Sequence, residues 1–315
     1  METRASAALV GSLCYLFASV FWGMNIPLTA ALLETFDPFW LTLARYLVAA
    51  ALLGALVAFG SGARRLASPI PLPRVAVLGL CVSGFLVCFT AGLLLTHPIT
   101  AAALIAGAPV YVAIVSRLVT GAPLAPGFVG ATALTIVGAG IAIAGRGAGD
   151  AGGARLQGGE ALIVLAMCSW TVYSIFAQRW FAPEVPQLRR TWLGAVAAVP
   201  WLVAAWLAAR ALGLVGEPNL RPDPRSLAYL LATAVFSTAL STVAWNIGVS
   251  RLGVAVGGMW QNTVPVFAVL ISLAFFGIVP TGQQVLGGAV VLSGVLYMQW
   301  HALRAARGPA AVAGR

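Results

Sequence analysis

Ten apolar runs, each about as long as a helix that crosses a bilayer, follow one another along this 315-residue chain and leave little else to fold. A hydrocarbon core of roughly 30 Å needs about 20 apolar residues per helix. Runs of that kind, broken by turn residues or arginine, fall at 8–32, 39–59, 75–95, 99–119, 127–145, 160–181, 191–209, 227–249, 253–276 and 282–301. Only 8% of the residues are charged against 61% hydrophobic, with a mean hydropathy of +0.97. A soluble domain of this length needs far more charge to cover its surface, whereas lipid covers an apolar one. The expected fold is therefore an all-α integral membrane bundle of ten transmembrane helices. Arg4 ahead of the run from Ala7 to Phe21 has the outline of a signal peptide, but the run continues through Trp22 and Ile26. It reads as a retained first helix.

The formal charge of +10 does not point to nucleic acid, because the basic residues are all arginine and lie almost entirely at the ends of runs. They are topology signals. With both ends of an even-numbered bundle on one side, twelve arginines fall on the cytoplasmic side, among them Arg4, Arg64, Arg65, Arg74, Arg117, Arg179, Arg189, Arg190, Arg251 and Arg304. Five (Arg146, Arg155, Arg210, Arg221 and Arg225) fall outside, together with six of the eight acids. Both termini are thus expected in the cytoplasm, in a multi-pass protein of the cell's inner membrane. Cys14, Cys81, Cys88 and Cys168 sit inside runs without a close CxxC pair, as small apolar packing residues do.

The second half repeats the first. Ala108-Pro109-Val110-Tyr111 matches Val264-Pro265-Val266-Phe267 at an offset of 156, and the same register pairs Ser116 with Ser272, Gly121 with Gly277, and Gly138 with Gly294. Phe21-Trp22-Gly23 matches Ser169-Trp170-Thr171 at an offset of 148. A unit of five helices is odd, so its second copy enters the membrane from the opposite side. The loop charges invert accordingly. Glu34 and Asp37 follow the first run, whereas Arg179, Arg189 and Arg190 follow the sixth. The expected organisation is one repeat over 1–147, a glycine-rich hinge over 148–159, a second repeat over 160–303 and a cytoplasmic tail over 304–315.

Phe21-Trp22-Gly23, Ala44-Arg45-Tyr46, Pro109, Gly121 and Gly138, echoed by Ser169-Trp170, Pro265, Gly277, Gly287 and Gly294, resemble the EamA family of the drug/metabolite transporter superfamily. The likeness spans about residues 8 to 301. It implies a permease, often an exporter of amino acids or other metabolites, with a central cavity between the halves and the fifth and tenth helices at its periphery. One departure is that Ala122 and Ile278 stand where the family often has a glutamate.

Polar side chains within spans face the bundle interior or a wet cavity, because lipid offers them no partner. The candidate substrate-binding residues are Trp22 and Asn25 of the first run, Arg45 of the second, Tyr111 of the fourth, Trp170 and Tyr173 of the sixth, Trp245 and Asn246 of the eighth, and Trp260, Gln261 and Asn262 of the ninth. The tryptophans offer ring faces to an aromatic, aliphatic or cationic ligand. The amides offer donors and acceptors without net charge, or else bond helix to helix. Pro109 and Pro265 lie near mid-span in matched positions and read either as gating helix breaks at the site or as packing kinks.

Arg45 is the charged residue well inside a run, roughly 9 Å along the helix from Phe39 at 1.5 Å per residue. Three roles are open to it: receiving a substrate carboxylate, pairing with Glu34 or Asp37, or reaching outward along its own stem. No Asp or Glu lies in a run interior, so the usual carboxylate proton relay is missing, and exchange or facilitated flow is expected. Nucleophile–base pairs, metal clusters and filter motifs are also missing, against a membrane enzyme, a cofactor or a channel. His97 and His301 are isolated near run ends. The sequence thus reads as an alternating-access transporter, monomer or homodimer, of small metabolites, amino acids first and lipophilic cations second.

Overall fold

The computed structural model describes residues 4–61, 66–96, 104–105, 107–121, 123–124, 127–144, 158–277 and 279–307. Arg64, Arg65, His97, Pro98, Ala122, Arg146, Asp150, Arg155, Ile278 and Arg315 lie outside them, as does nearly all of the expected hinge. Among the described residues there is no strand, and the elements are α1 (Arg4–Leu32), α2 (Pro38–Ser61), α3 (Leu72–Leu94), α4 (Ala108–Thr120), α5 (Phe128–Ala144), α6 (Glu160–Arg179), α7 (Gln187–Ala211), α8 (Pro224–Leu252), α9 (Val254–Phe276) and α10 (Gly282–Arg307). Seven of these, α1 to α3 and α6 to α9, are long and apolar enough to cross a membrane. Ala108–Thr120, Phe128–Ile141 and Gly282–Met298 are shorter apolar helices. The chain is a multi-pass membrane protein.

Local chemistry sets the helix ends. Asp37 accepts from the backbone N–H groups of Phe39 (3.0 Å) and Trp40 (2.8 Å) with Pro38 as the first residue of α2. Asp223 does the same for Arg225 and Ser226 ahead of Pro224 in α8. A bond from the Ser226 hydroxyl and, after it, these backbone bonds hold the Asp223 carboxyl below the usual carboxylate range. At the other end, α4 and the last part of α9 stop at Gly121 (φ 68°) and Gly277 (φ 66°). Both are left-handed caps that suit a residue without Cβ, and they are the two glycines that the repeat puts in register.

Two helices depart from regular winding. In α8 the segment Thr233–Leu240 is a π-helix, and the hydroxyls of Thr238 and Ser241 reach carbonyls five residues back, Thr233 O at 3.2 Å and Phe236 O at 2.8 Å. In α9 the winding breaks at Asn262 and Thr263, between Val254–Gln261 and Val264–Phe276. Pro265 sits in the first turn after that break, and Pro109 in the first turn of α4 after Gly107. A proline there removes no helical hydrogen bond. Each therefore starts a helical segment, and in α9 the irregular backbone lies just before it.

The packing has a rule. Helix α3 lies against α6 and α7, and α8 lies against α1 and α2. Helix α1 lies against α9, and α6 against α4; α2 pairs with α7, α4 with α9, and α5 with α10. Exchanging each helix for the one five places later turns this list into itself. The contacts are close where glycine permits it. A Cβ on Gly23 would lie 2.6 Å from Phe267 Cβ, so α1 meets α9 backbone to backbone. At the α5–α10 contact the register-matched Gly138 and Gly294 face the opposite helix from both sides: a Cβ on Gly138 would lie 2.7 Å from Val291 N, and one on Gly294 3.0 Å from Ala131 O. Large apolar side chains such as Phe59, Leu118, Val129 and Phe275 point outward, as a lipid-facing surface requires.

The α5–α10 contact makes a direct prediction. Gly138→Leu wedges the pair apart at a destabilisation of about 1–3 kcal/mol, the range for overpacking a filled site. Gly140, where an added Cβ would meet nothing within 4 Å, tolerates leucine. Thermal melting of the detergent-purified variants, followed by tryptophan fluorescence, reads the difference; equal melting of both would mean that the pair is not held at this spacing.

Candidate functional site

The site grows from one face of α1. Tyr15, Ser19, Trp22, Asn25 and Thr29 recur at helical spacing, so they form a single aromatic and polar stripe. Along it the other half of the molecule is bound. Tyr15 OH donates to Gly253 O (2.8 Å), Ser19 Oγ to Trp260 O (3.1 Å), and Trp22 Nε1 to Ser237 O (2.9 Å), while Ser237 Oγ donates back to Phe21 O (2.7 Å). The last two make a reciprocal pair between α1 and the π-helical part of α8.

Trp22 opens the aromatic cluster. Its ring centroid is 5.8 Å from that of Trp170 on α6 and 5.3 Å from that of Trp245 on α8, and the latter two are 6.0 Å apart. Three indoles from three helices thus touch one another. Tyr15, Phe85 and Tyr173 extend the group at 5.1, 5.1 and 5.2 Å. Below the rings the polar atoms are linked: Trp245 Nε1 donates to Ser174 Oγ (3.0 Å), and Asn246 Nδ2 donates to Tyr173 OH (3.0 Å) and Thr191 Oγ1 (2.8 Å). Thr191 gives its own proton to Gln187 O (2.8 Å). It can therefore only accept from Asn246, which fixes the orientation of that amide.

Two buried groups in this network have no partner among the described residues: Trp170 Nε1, a donor, and Asn246 Oδ1, an acceptor. Each costs roughly 1–3 kcal/mol while unpaired, and buried orphans of this kind mark places where water or a ligand is bound. Between α2, α3, α6, α7 and α8 is a cleft of about 10 Å³ bordered by Tyr46, Tyr173, Thr191, Thr238 and Thr242, two of which, Tyr173 and Thr191, accept from Asn246. That is room for about one water. A metabolite fits there only if the helices part.

Arg45 of α2 is bound further along the same α1 stripe. Its Nη1 donates to Asn25 Oδ1 (2.8 Å) and Thr29 Oγ1 (3.1 Å), and it bonds to neither Glu34 nor Asp37. The remaining candidates lie around the edge of this core. Trp260, half-buried and with Nε1 unpartnered, lies with Gln261 and the buried Asn262 at the break in α9, just ahead of Pro265. Tyr111 and Pro109 belong to a satellite region around Ala108, Phe85 and Met167, between α3, α4 and α6. Tyr15, Ser174 and Thr191 join the network although they are not among the sequence candidates. Tyr15 has a signal, two turns before Trp22 on one face. Thr191 has none, because nothing local distinguishes it from any threonine near a helix start.

Known proteins resemble this chain from end to end. The sequence profile described as the EamA-like transporter family matches residues 9–144 and 157–300. A protein of Bacillus subtilis (strain 168), named uncharacterized transporter YyaM, is 24% identical over 279 residues, which is 88% of this chain and 90% of that protein. A protein of known crystal structure shares the fold with a TM-score of 0.78 at 21% identity, over 96% of this chain and 99% of its own.

The polar network carries its own test. Asn246→Leu removes the donor to Tyr173 and Thr191 at nearly constant volume, and a destabilisation of about 1–3 kcal/mol is expected. Thermal melting measures it. A variant as stable as the wild type would mean that the unpaired Oδ1 offsets all that the two donated bonds contribute.

Proposed function

Because this chain belongs to the EamA-like transporter family, we propose that it is an alternating-access carrier of small metabolites, amino acids or related compounds first, built as two inverted five-helix repeats with both termini in the cytoplasm. The repeats are 1–147 and 160–303. The exchange rule in the packing, the matched caps at Gly121 and Gly277, and the inverted loop charges all support this organisation.

One observation carries the functional reading. Trp22 and Trp170, which hold equivalent positions in the two repeats, meet over Trp245 in a network that borders a cleft at Tyr173 and Thr191 and whose buried Trp170 Nε1 and Asn246 Oδ1 have no partner among the described residues. A site formed where two repeats meet opens to one side or the other as they rock. Rings supply contact to an apolar or aromatic moiety, and the orphaned indole N–H and amide oxygen supply one donor and one acceptor. Lipophilic cations remain the second reading, since indole faces hold cations; the cation of Arg45 and the absence of acids inside the spans weigh against it. With no carboxylate there to carry a proton, exchange or facilitated flow is the proposed mode.

The measurement is uptake of labelled amino acids into proteoliposomes with and without unlabelled substrate trapped inside. Saturable uptake accelerated by trapped substrate is expected, with no accumulation driven by a pH gradient alone. Trp170→Ala is expected to lower saturable uptake about tenfold or more, equal to a loss of roughly 1.4 kcal/mol of contact. Non-saturating flux would sink the carrier reading, and uptake confined to lipophilic cations would replace amino acids as cargo.

A further inference from the structure

The second helix of each half carries an arginine, and the structure treats the two differently. Arg45 lies on α2 and Arg190 on α7, the second helix of each half, and each reaches back to the first helix of its own half. Arg45 bonds Thr29, and Arg190 bonds the carbonyl of Ala177 (3.4 Å), which is 148 residues beyond Thr29, the same offset that relates Trp22 to Trp170. The two arginines are not mates in the repeat, since at that offset Arg45 stands opposite Leu193 and Arg190 opposite Thr42, so they compare by their surroundings only.

Arg190 is consumed by structure. Its Nε donates to Val185 O (2.9 Å), Nη1 to Gln178 Oε1 (3.1 Å), and Nη2 to Ala182 O (2.9 Å) and Pro183 O (3.4 Å), in a side chain only 4% exposed. All three nitrogens tie the α6–α7 turn together. Arg45 bonds to the chain through Nη1 alone, to Asn25 and Thr29, both neutral. Its Nε and Nη2 are left to form the flat pair of N–H groups that matches two oxygens of one anion. Among the described residues no acid pairs with it: Asp37 caps the first turn of α2 through Oδ1, its Oδ2 is buried without a partner, and neither oxygen bonds Arg45. The site is partly exposed, seven residues into α2 from Pro38, hence about 10 Å along the helix. One turn along α1 from Asn25 stands Trp22 of the aromatic cluster.

We infer that Arg45 is the anion receptor of the transport site: the cargo carries a carboxylate, or another group with two anionic oxygens, that binds Nε and Nη2 of Arg45 while its remainder lies against the indoles. This rests on the carrier reading and narrows it to anionic or zwitterionic compounds. Amines that lack the acid group are excluded. Asn25 and Thr29 are positioning residues that hold Nη1 so that the other two nitrogens face the cargo.

The test is chosen to separate the two ideas. Thermal melting of the purified protein is followed with acetate, glycine, phenylalanine, inorganic phosphate, phenethylamine and, as ionic-strength control, chloride. Alongside it, counterflow in proteoliposomes compares phenylalanine with phenethylamine. Wild type is expected to be stabilised by carboxylates beyond the chloride control and to carry the acid at least about tenfold faster than the amine. Stabilisation by phosphate alone would assign the same nitrogens to a phosphorylated cargo. Arg45→Gln is expected to abolish the stabilisation and raise KM about tenfold or more, and Arg45→Lys to restore part of it. Since Arg45→Gln leaves Asn25 without its donor, Asn25→Asp is the second variant. It keeps the shape, places a carboxylate 2.8 Å from Nη1, and is expected to fold and to lose anion binding by pairing internally. Absence of any anion-specific stabilisation in the wild type, or an amine carried as well as its acid, overturns the anion site. Saturable counterflow in that case leaves the carrier reading intact.

Discussion

Hydrocarbon offers no hydrogen bonds, so each polar side chain on a membrane helix has to find its partner within the bundle. That constraint decides where this chain can keep its chemistry. The stripe from Tyr15 to Thr29 on α1 would be costly against lipid, and it is turned instead onto α8, α9 and Arg45 of α2. The reciprocal bonds between Trp22, Phe21 and Ser237 depend on the π-helical turn, which brings Ser237 O and Ser237 Oγ to α1 together. Once α1 is fixed to α8 by these contacts, the indoles of Trp22 and Trp245 meet, and Trp170 completes the group from α6. The polar requirement and the aromatic cluster are one arrangement.

A repeat that is symmetric in its helix packing is unsymmetric where it counts chemically. Gly121 and Gly277 end their helices alike, and Gly138 and Gly294 both face the α5–α10 contact. These positions answer to backbone geometry, which is the same in both halves. Trp22 and Trp170 match as rings but differ as donors: Trp22 Nε1 is bonded to Ser237 O, and Trp170 Nε1 has no partner among the described residues. Arg45 and Arg190, the arginines of α2 and α7, also differ, one with N–H groups to spare and one with none. Groups without a partner among the described residues thus remain in both halves, Arg45 in the first, Trp170 and Asn246 in the second.

How much of this the sequence discloses depends on whether a property is local. The apolar runs mark the helices closely because span length is set by the membrane rather than by neighbours. Trp22, Trp170, Trp245 and Asn246 are legible because large aromatic and amide groups inside a run need a partner somewhere. The register of Pro109 with Pro265 is legible too, but its consequence is not. A proline in mid-run reads as a break at the proline, whereas here it opens the next helical segment and in α9 the break falls on Asn262 and Thr263. The π-helix is hidden, since Ser and Thr at 233–242 are equally compatible with regular winding, and only packing against α1 selects the wider turn. Arg190 reads as a topology signal at a span end, and the five acceptors that fix it come from a turn whose shape no pattern of residue types announces.

The small cleft, finally, constrains how the site must open. Its border is contributed by α2, α3, α6, α7 and α8, which include the pairs that lock the halves together. Separating them everywhere would expose the Asn246 network and the Trp22–Ser237 bonds at once, at a cost of several such bonds. Opening at one end while the other stays packed requires helices that can change direction partway along. Regular helices resist this, and among the described residues α8 and α9 have their winding interrupted, at Thr233–Leu240 and at Asn262–Thr263. Both interruptions lie beside the aromatic cluster, through the Trp22–Ser237 bond in one case and the Ser19–Trp260 bond in the other. Irregular backbone is tolerated at membrane depth only where it is sheltered by protein or lines a cavity.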